Sequence, residues 1–299
     1  MSGSAARGAR RRAVWFFDLD DTLHDASHAM FEAIDARMTD YVQERLRLDR
    51  AGANDLRNLY WRRYGATMLG LILHHGVDPH DFLHRTHDFD VAGRLRYESG
   101  LEAWFRRLAG RKVLLTNSPL HYAGRVLRGI GLHRHFDRRY AIESMRVHGR
   151  FRPKPARAMF RAMLARERLG GRPGAARAIL VDDHLPNLKA ARAVGYATVL
   201  VERPGPAGGM RRLPGAGYVD ARVRSIGQLP ALAAGLIASG RASSPPAAPV
   251  AGGGAPAGRM RLHGPSDPAR GRLPGAAAPR RMRRGSRPRS TISGDSSHA

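Results

Sequence analysis

The stretch Val14-Trp15-Phe16-Phe17-Asp18-Leu19-Asp20-Asp21-Thr22-Leu23 decides the fold of this chain. Its apolar residues run directly into a cluster of carboxylates, and such a run is typical of a strand buried on both faces of a parallel α/β sheet. Asp18 and Asp20 then fall where the strand ends, at the edge where open α/β sheets bind ligands. Because crowded like charges need a compensating cation, the cluster indicates a nucleophilic carboxylate, a proton-carrying carboxylate and a divalent metal.

Strands and helices alternate after this first strand, which predicts an α/β fold with a doubly wound, Rossmann-like parallel sheet. Later strands are predicted at residues 113–117, 140–142, 178–183 and 197–201, with a short one at 218–220 and a closing helix at 225–238. Between the first two strands the apolar residues recur only at helical spacing, so we expect an all-helical cap inserted after the first strand.

The predicted domains follow from this pattern. They are a basic arm at 1–12, a Rossmann-like core at 13–23 and 98–238, a helical cap at 24–97, and an Arg/Pro/Gly/Ala-rich tail at 239–299. The tail has almost no large apolar residues with which to bury a core, so we expect it to be disordered, and the short arm likewise.

The composition limits the class of protein. The 299 residues carry a formal net charge of +26, and a field of this sign attracts phosphorylated substrates. Binding of nucleic acid or another polyanion through the basic tail stays open. The absence of Cys excludes disulfides, zinc–thiolate sites and Cys nucleophiles. No signal-peptide core and no run of roughly 18 apolar residues is present, so we expect a soluble, cytoplasmic protein without a membrane partner.

Polar residues stand at the ends of several predicted strands and on one loop. Because the carboxyl ends of parallel strands share one rim, these groups can meet in a single pocket. The candidates are Asp18, Asp20, Thr116, Asn117, Lys154, Asp182 and Asp183. Together they are suited to phosphoryl transfer: Asp18 would attack phosphorus to give an aspartyl-phosphate, and Asp20 would serve as acid and base.

The other candidates would bind the phosphate and a metal. The Thr116 hydroxyl and the Asn117 backbone N–H can donate to phosphate oxygens, and Lys154 can neutralise both the phosphate and the nucleophile. Asp182, helped by Asp183, would complete a set of oxygen ligands for Mg²⁺. The rest of that set is Asp18 and the backbone carbonyl of Asp20.

Each motif also has a plain structural explanation. An Asp-rich turn can cap the following helix, Thr116-Asn117 can be a strand-to-helix turn, and Lys154 can be a solvated loop lysine. Asp182-Asp183 can likewise be an ordinary turn. The order and spacing of all four motifs favour the chemical interpretation.

Taken together, the motifs resemble those of the haloacid dehalogenase superfamily of phosphatases over roughly residues 13–203. The likeness lies in the Asp-x-Asp-x-Thr pattern that begins at Asp18, then Thr116, Lys154 and the acidic pair at 182–183. The resemblance implies a nucleophilic Asp18, an acid/base Asp20, and Mg²⁺ held by Asp18, Asp20 and Asp182. Dehalogenases of the superfamily lack the second carboxylate, so Asp20 favours phosphate esters; a phosphomutase would keep it.

Within the superfamily, the sequence is similar to the pyrimidine 5′-nucleotidase group at residues 16–23, 60–71 and 181–187. This likeness implies hydrolysis of a nucleoside 5′-monophosphate such as UMP or CMP. Tyr64 and Thr67, with His74 and His75, could then contact the base or ribose, although ordinary packing within the cap explains them equally. A phosphoglycolate-type phosphatase or a hexose-phosphate mutase on the same core remains an alternative.

Overall fold

The structure is a computed structural model, and it describes residues 13–170, 177–202 and 217–242. The predicted arm at 1–12 and residues 243–299 of the predicted tail lie outside the described residues. None of the helices in the described ranges is long and apolar enough to cross a membrane.

A six-stranded parallel sheet forms the centre of the fold, in the order β3-β2-β1-β6-β7-β8. Its strands are β1 (Val14–Phe17), β2 (Arg111–Leu115), β3 (Arg138–Tyr140), β6 (Ala178–Asp182), β7 (Ala197–Val201) and β8 (Ala221–Val223). Between β3 and β6, β4 (Arg146–Val147) and β5 (Arg150–Phe151) pair as a separate antiparallel hairpin. The order within the sheet is that of a Rossmann-like fold, and the predicted fold class is confirmed.

Helices cover both faces of this sheet. They are α5 (Leu101–Arg107), α6 (Leu120–Gly129), α7 (Arg157–Arg166), α8 (Leu185–Arg192) and α9 (Leu229–Ala242). Successive side chains of β1 point to opposite faces. Trp15 and Phe17 belong to the hydrophobic cluster that contains α5, α6 and α9, whereas Val14 and Phe16 belong to the cluster that contains α7 and α8. The central strand is therefore buried on both sides, as its apolar run predicts.

Four further helices lie between β1 and β2. They are α1 (Met30–Leu46), α2 (Arg50–Tyr64), α3 (Thr67–His75) and α4 (Pro79–His87). The side chains of Asp49 and Asp78 accept backbone N–H groups at the starts of α2 and α4, and glycines with positive φ end α2 and α3. These helices pack in a hydrophobic cluster around Tyr41, Leu71 and Phe82, which Ile142 also joins. The role of this helical insert as a substrate cap stays a prediction.

Several predicted boundaries are wrong. The strand predicted at 140–142 ends at Tyr140, because the following residues turn into a 3₁₀ helix and Ile142 packs into the cluster of the insert. The strand predicted at 218–220 lies instead at Ala221–Val223, which is β8. The Asp220 carboxylate accepts the Thr198 backbone N–H and so forms a bend before that strand. The closing helix starts later than predicted and continues to Ala242, past the predicted end of the core.

Gly70 allows α2 and α3 to approach closely. A Cβ added at Gly70 would lie 2.2 Å from Cγ of Tyr60, on the buried side of α3. We expect Gly70→Ala to lower the free energy of unfolding by roughly 1–3 kcal/mol, because overpacking outweighs the better helix propensity of alanine. Gly235→Ala in α9 is the matched control, since nothing lies within 4 Å of its added Cβ. This control should raise stability slightly in urea denaturation, and equal effects of the two changes would refute the explanation.

Candidate active site

Lys154 joins the ends of two adjacent strands. Asp18 directly follows β1, and Asp182 is the last residue of β6, which pairs with β1. The Lys154 Nζ lies 2.8 Å from Asp18 Oδ1 and 2.8 Å from Asp182 Oδ2, and its side chain is 1% exposed. Burial alone would lower the pKa of Lys154, but the charges of the two carboxylates outweigh burial and raise it. The ammonium is therefore held in its charged form.

Asn117, which follows β2, holds the loop that carries Lys154. Its Nδ2 donates to the Lys154 carbonyl at 3.0 Å, and its Oδ1 accepts the Lys154 backbone N–H at 2.9 Å. The sequence predicts that the Asn117 backbone N–H binds phosphate, and this stays a prediction. It gives no sign of the two hydrogen bonds between the Asn117 side chain and the Lys154 backbone. The two residues are far apart in the chain, so no local pattern could have indicated them.

Further hydrogen bonds order the acidic pair at the end of β6. The Asn187 Nδ2 donates to both oxygens of Asp182, at 3.0 and 3.1 Å, and the His184 backbone N–H donates to Oδ1 at 2.9 Å. Asp183 Oδ1 accepts the Thr22 hydroxyl at 3.1 Å. The Thr22 contact connects the first and last motifs of the chain, and Asn187 is another site residue that sequence reasoning did not single out.

The residues fit a divalent cation. Among the described residues, Asp18, Asp182 and Asp183 each offer a carboxylate oxygen, and these oxygens all lie within 4.8 Å of one another. Burial raises the pKa of Asp18, and although Lys154 opposes this, Asp182 and Asp183 raise it further. Burial and Asp182 also raise the pKa of Asp183 to about 7. Three carboxylates facing one ammonium leave negative charge that a hard cation with oxygen ligands would neutralise.

Asp20 belongs to a different set of contacts. Its Oδ1 accepts from His24 Nε2 at 2.9 Å and from the Tyr122 hydroxyl at 2.9 Å, and its Oδ2 accepts from the Ser118 hydroxyl at 2.5 Å. Burial alone would raise the pKa of Asp20, but these hydrogen bonds outweigh burial and lower it. Its predicted contact with a metal through the backbone carbonyl stays a prediction. Sequence reasoning missed all three donors.

Thr116 follows β2 at the same edge of the sheet. Phe17 pairs with Leu114, so the end of β2 lies beside the end of β1. The Thr116 side chain is buried, and its hydroxyl accepts the Ser118 backbone N–H at 3.0 Å. Thr116 therefore shapes the loop that brings the Ser118 hydroxyl to Asp20.

Tyr64 and Thr67 have partners inside the helical insert. The Tyr64 hydroxyl forms a 2.5 Å hydrogen bond with His74 Nε2, and the Thr67 hydroxyl donates to the Arg57 carbonyl at 3.0 Å. Among the hydrogen bonds of the described residues, neither side chain reaches the carboxylates. Both residues connect α2 with α3, and the buried Thr67 hydroxyl already has an acceptor. Their predicted contact with a substrate stays a prediction.

Fold and site together define a Rossmann-like α/β protein with an acidic centre at the strand ends. A family model for haloacid dehalogenase-like hydrolases matches residues 13–195. The chain belongs to the haloacid dehalogenase-like hydrolase family, which confirms that part of the resemblance.

Several solved structures are similar to this chain. A haloacid dehalogenase (HAD) phosphatase from Thermococcus onnurineus is 18% identical, with a TM-score of 0.50 over 74% of this chain and 97% of that one. CbbY from Rhodobacter sphaeroides, crystallised with phosphate, is 20% identical, with a TM-score of 0.50 over 73% and 96%. An L-2-haloacid dehalogenase from Xanthobacter autotrophicus, with chloropropionic acid covalently bound, is 19% identical, with a TM-score of 0.46 over 75% and 98%. At such identities the likeness shows the fold alone.

His87 is a buried histidine next to the contacts of Asp20. Its ring centroid lies 5.5 Å from that of Tyr122, and Nδ1 lies 3.1 Å from the Leu83 carbonyl. Burial lowers the pKa of His87 to about 4. The folded protein therefore holds this imidazole neutral at a pH where an unfolded chain would protonate it.

We expect His87 to lower the free energy of unfolding by roughly 2 kcal/mol when the pH falls from 7 to 5. The unfolded chain binds a proton near pH 6.5, whereas folded His87 binds one only near pH 4, so acid favours unfolding in this window. His87→Gln should flatten this part of the profile in urea titrations. His80→Gln, at an exposed position of α4, is the matched control for the substitution itself. Parallel profiles for His87→Gln and the wild type would contradict the assignment.

Proposed function

We propose that this protein hydrolyses a small phosphomonoester with Mg²⁺, through an aspartyl-phosphate on Asp18. The observation that carries the proposal is the separation of two neighbouring carboxylates into different environments. Asp18 contacts Lys154 beside Asp182 and Asp183, whereas Asp20 contacts only hydroxyl and imidazole donors among the described side chains. A carboxylate beside a fixed ammonium suits nucleophilic attack, and a carboxylate held by hydroxyl and imidazole donors suits proton transfer.

The reaction follows from these positions. A substrate that enters as its phosphate monoanion passes a proton to Asp20, whose lowered pKa leaves it ionised in the free protein. The Asp18 carboxylate then attacks phosphorus, the bond from phosphorus to the ester oxygen breaks, and Asp20 gives that oxygen the proton. Asp20 then takes a proton from water, the water oxygen attacks phosphorus, and the bond to Asp18 breaks to release phosphate. Lys154 supplies a fixed positive charge next to the nucleophile throughout.

Asp18, Asp182 and Asp183 would hold the metal, together with the backbone carbonyl of Asp20. Bound Mg²⁺ neutralises charge on the phosphoryl oxygens and orients the phosphate. Asp20 also favours phosphate esters over haloacids, because a halide leaves without needing a proton.

For the substrate we propose a nucleoside 5′-monophosphate, with UMP and CMP first. The support is the similarity to the pyrimidine 5′-nucleotidase group at residues 16–23, 60–71 and 181–187, and the basic character of the chain. A phosphoglycolate-type phosphatase and a hexose-phosphate mutase are the alternatives on the same core.

A panel of esters separates these substrates. We expect phosphate release with Mg²⁺ and none with EDTA, and the highest kcat/KM with UMP or CMP among UMP, CMP, AMP, phosphoglycolate and glucose 6-phosphate. A preference for phosphoglycolate would replace the nucleotide proposal. Isomerisation of glucose 1-phosphate without phosphate release would identify a mutase.

Asp18→Asn tests the nucleophile. We expect turnover to fall by at least roughly 10³-fold in a protein that still folds, because an amide cannot form the covalent intermediate. Asp21→Asn is a matched control in the same turn. Asp21 has a φ of 55°, which asparagine adopts readily, and its carboxylate bonds to Ser27. Wild-type turnover by Asp18→Asn would refute the covalent mechanism, and equal losses in the two variants would point to the turn rather than the nucleophile.

A further inference from the structure

Three separate parts of the chain converge on the Asp20 carboxylate. His24 lies in the segment that leads into the helical insert, Ser118 in the loop after β2, and Tyr122 in the first turn of α6. The His24 and Tyr122 side chains are fully buried, and the Asp20 side chain is 12% exposed. Because three hydrogen bonds hold the carboxylate, the Asp20 side chain has little freedom to change its rotamer.

The donors are divided unequally between the two oxygens. A carboxylate oxygen has two lone-pair positions for hydrogen bonds. Oδ1 accepts from both His24 and Tyr122, so both of its positions are filled, whereas Oδ2 accepts only from the Ser118 hydroxyl. Among the contacts of the described residues, Oδ2 is the oxygen that keeps a lone pair for a further partner.

His24 shows that this arrangement is not simply good packing. Its Nδ1 is buried and has no hydrogen-bond partner within the described part of the chain. A buried polar atom without a partner lowers stability, and an apolar side chain would avoid that penalty. The Nε2 contact with Asp20 gives a reason for an imidazole at this position.

We propose that Tyr122 and His24 are positioning residues that fix Asp20 through Oδ1 and leave Oδ2 for the reacting oxygen of the substrate. The inference rests on the proposed function, because it names residues that serve proton transfer by Asp20. Proton transfer needs donor and acceptor atoms within about 3.2 Å, so a loosened Asp20 loses rate even when the substrate binds as before.

Tyr122→Phe is the decisive variant, because it removes one hydroxyl and keeps the ring that packs against His87 and Phe89. Tyr196→Phe is its matched control. Tyr196 is also fully buried, and its hydroxyl donates to the Phe160 carbonyl at 3.1 Å, in the hydrophobic cluster on the other face of the sheet. Both variants are compared by melting temperature, kcat and KM.

The two test substrates are the alkyl ester hydrolysed fastest in the panel and p-nitrophenyl phosphate, whose leaving group departs as a stable anion without a proton. We expect Tyr122→Phe to lower kcat/KM for the alkyl ester roughly tenfold more than for p-nitrophenyl phosphate. The comparison uses kcat/KM because it reports the step in which the leaving group departs, whereas the later attack of water is common to both substrates. Tyr196→Phe should leave the ratio of the two rates at its wild-type value. His24→Leu should reproduce the selective loss, and His24→Gln, which keeps a donor, should restore part of it.

Equal losses on both substrates, or losses that only follow the melting temperature, would overturn the inference and leave Tyr122 and His24 as packing residues. The proposed function would survive that result, since Asp18→Asn tests it separately. If the wild-type protein releases phosphate from no ester, the proposed function fails and the inference fails with it.

Discussion

The buried contact of Lys154 with Asp18 and Asp182 is the interaction on which the site depends. An isolated ammonium or carboxylate in such a place would be strongly destabilising, so each of these groups needs the others. Because Asp18 follows β1 and Asp182 ends β6, the contact also requires the parallel pairing of these strands. Two hydrogen bonds between the Asn117 side chain and the Lys154 backbone hold the loop that carries the lysine near the end of β2. They therefore help to keep the ammonium between the two carboxylates.

The acidic centre could be predicted because its causes are local. An apolar run followed by carboxylates predicts a buried central strand and also indicates where that strand ends. Both β1 and β6 have this pattern. The sheet and its helical layers follow from the alternation of such segments. The prediction of a strand at 218–220 is wrong because of a tertiary contact. The Asp220 carboxylate accepts a hydrogen bond from the Thr198 backbone N–H, the chain bends there, and the strand begins only at Ala221.

The contacts of Asp20 with Ser118 and Tyr122 could not be predicted, because they join residues that are distant in sequence. The contact with His24, four residues away, is local. Tyr122 reaches Asp20 only because α6 begins at the rim where β1 ends, and its spacing along α6 resembles that of any core residue. The partner of Thr67 could not be predicted either, because its hydroxyl donates to a backbone carbonyl of the neighbouring helix.

The backbone after β1 explains how two carboxylates so close in sequence enter different networks. Leu19, between them, is fully buried, and its N–H donates to Asp18 Oδ1 at 2.8 Å. The chain then turns, and the Leu23 N–H bonds to the Leu19 carbonyl at 2.8 Å. The strand ends at Phe17, so Asp20 is not held on the same face as Asp18, as it would be in a continuing strand. Asp18 therefore contacts the cationic side of the rim and Asp20 the hydroxyl and imidazole donors, so one short turn produces two carboxylates with different chemistry.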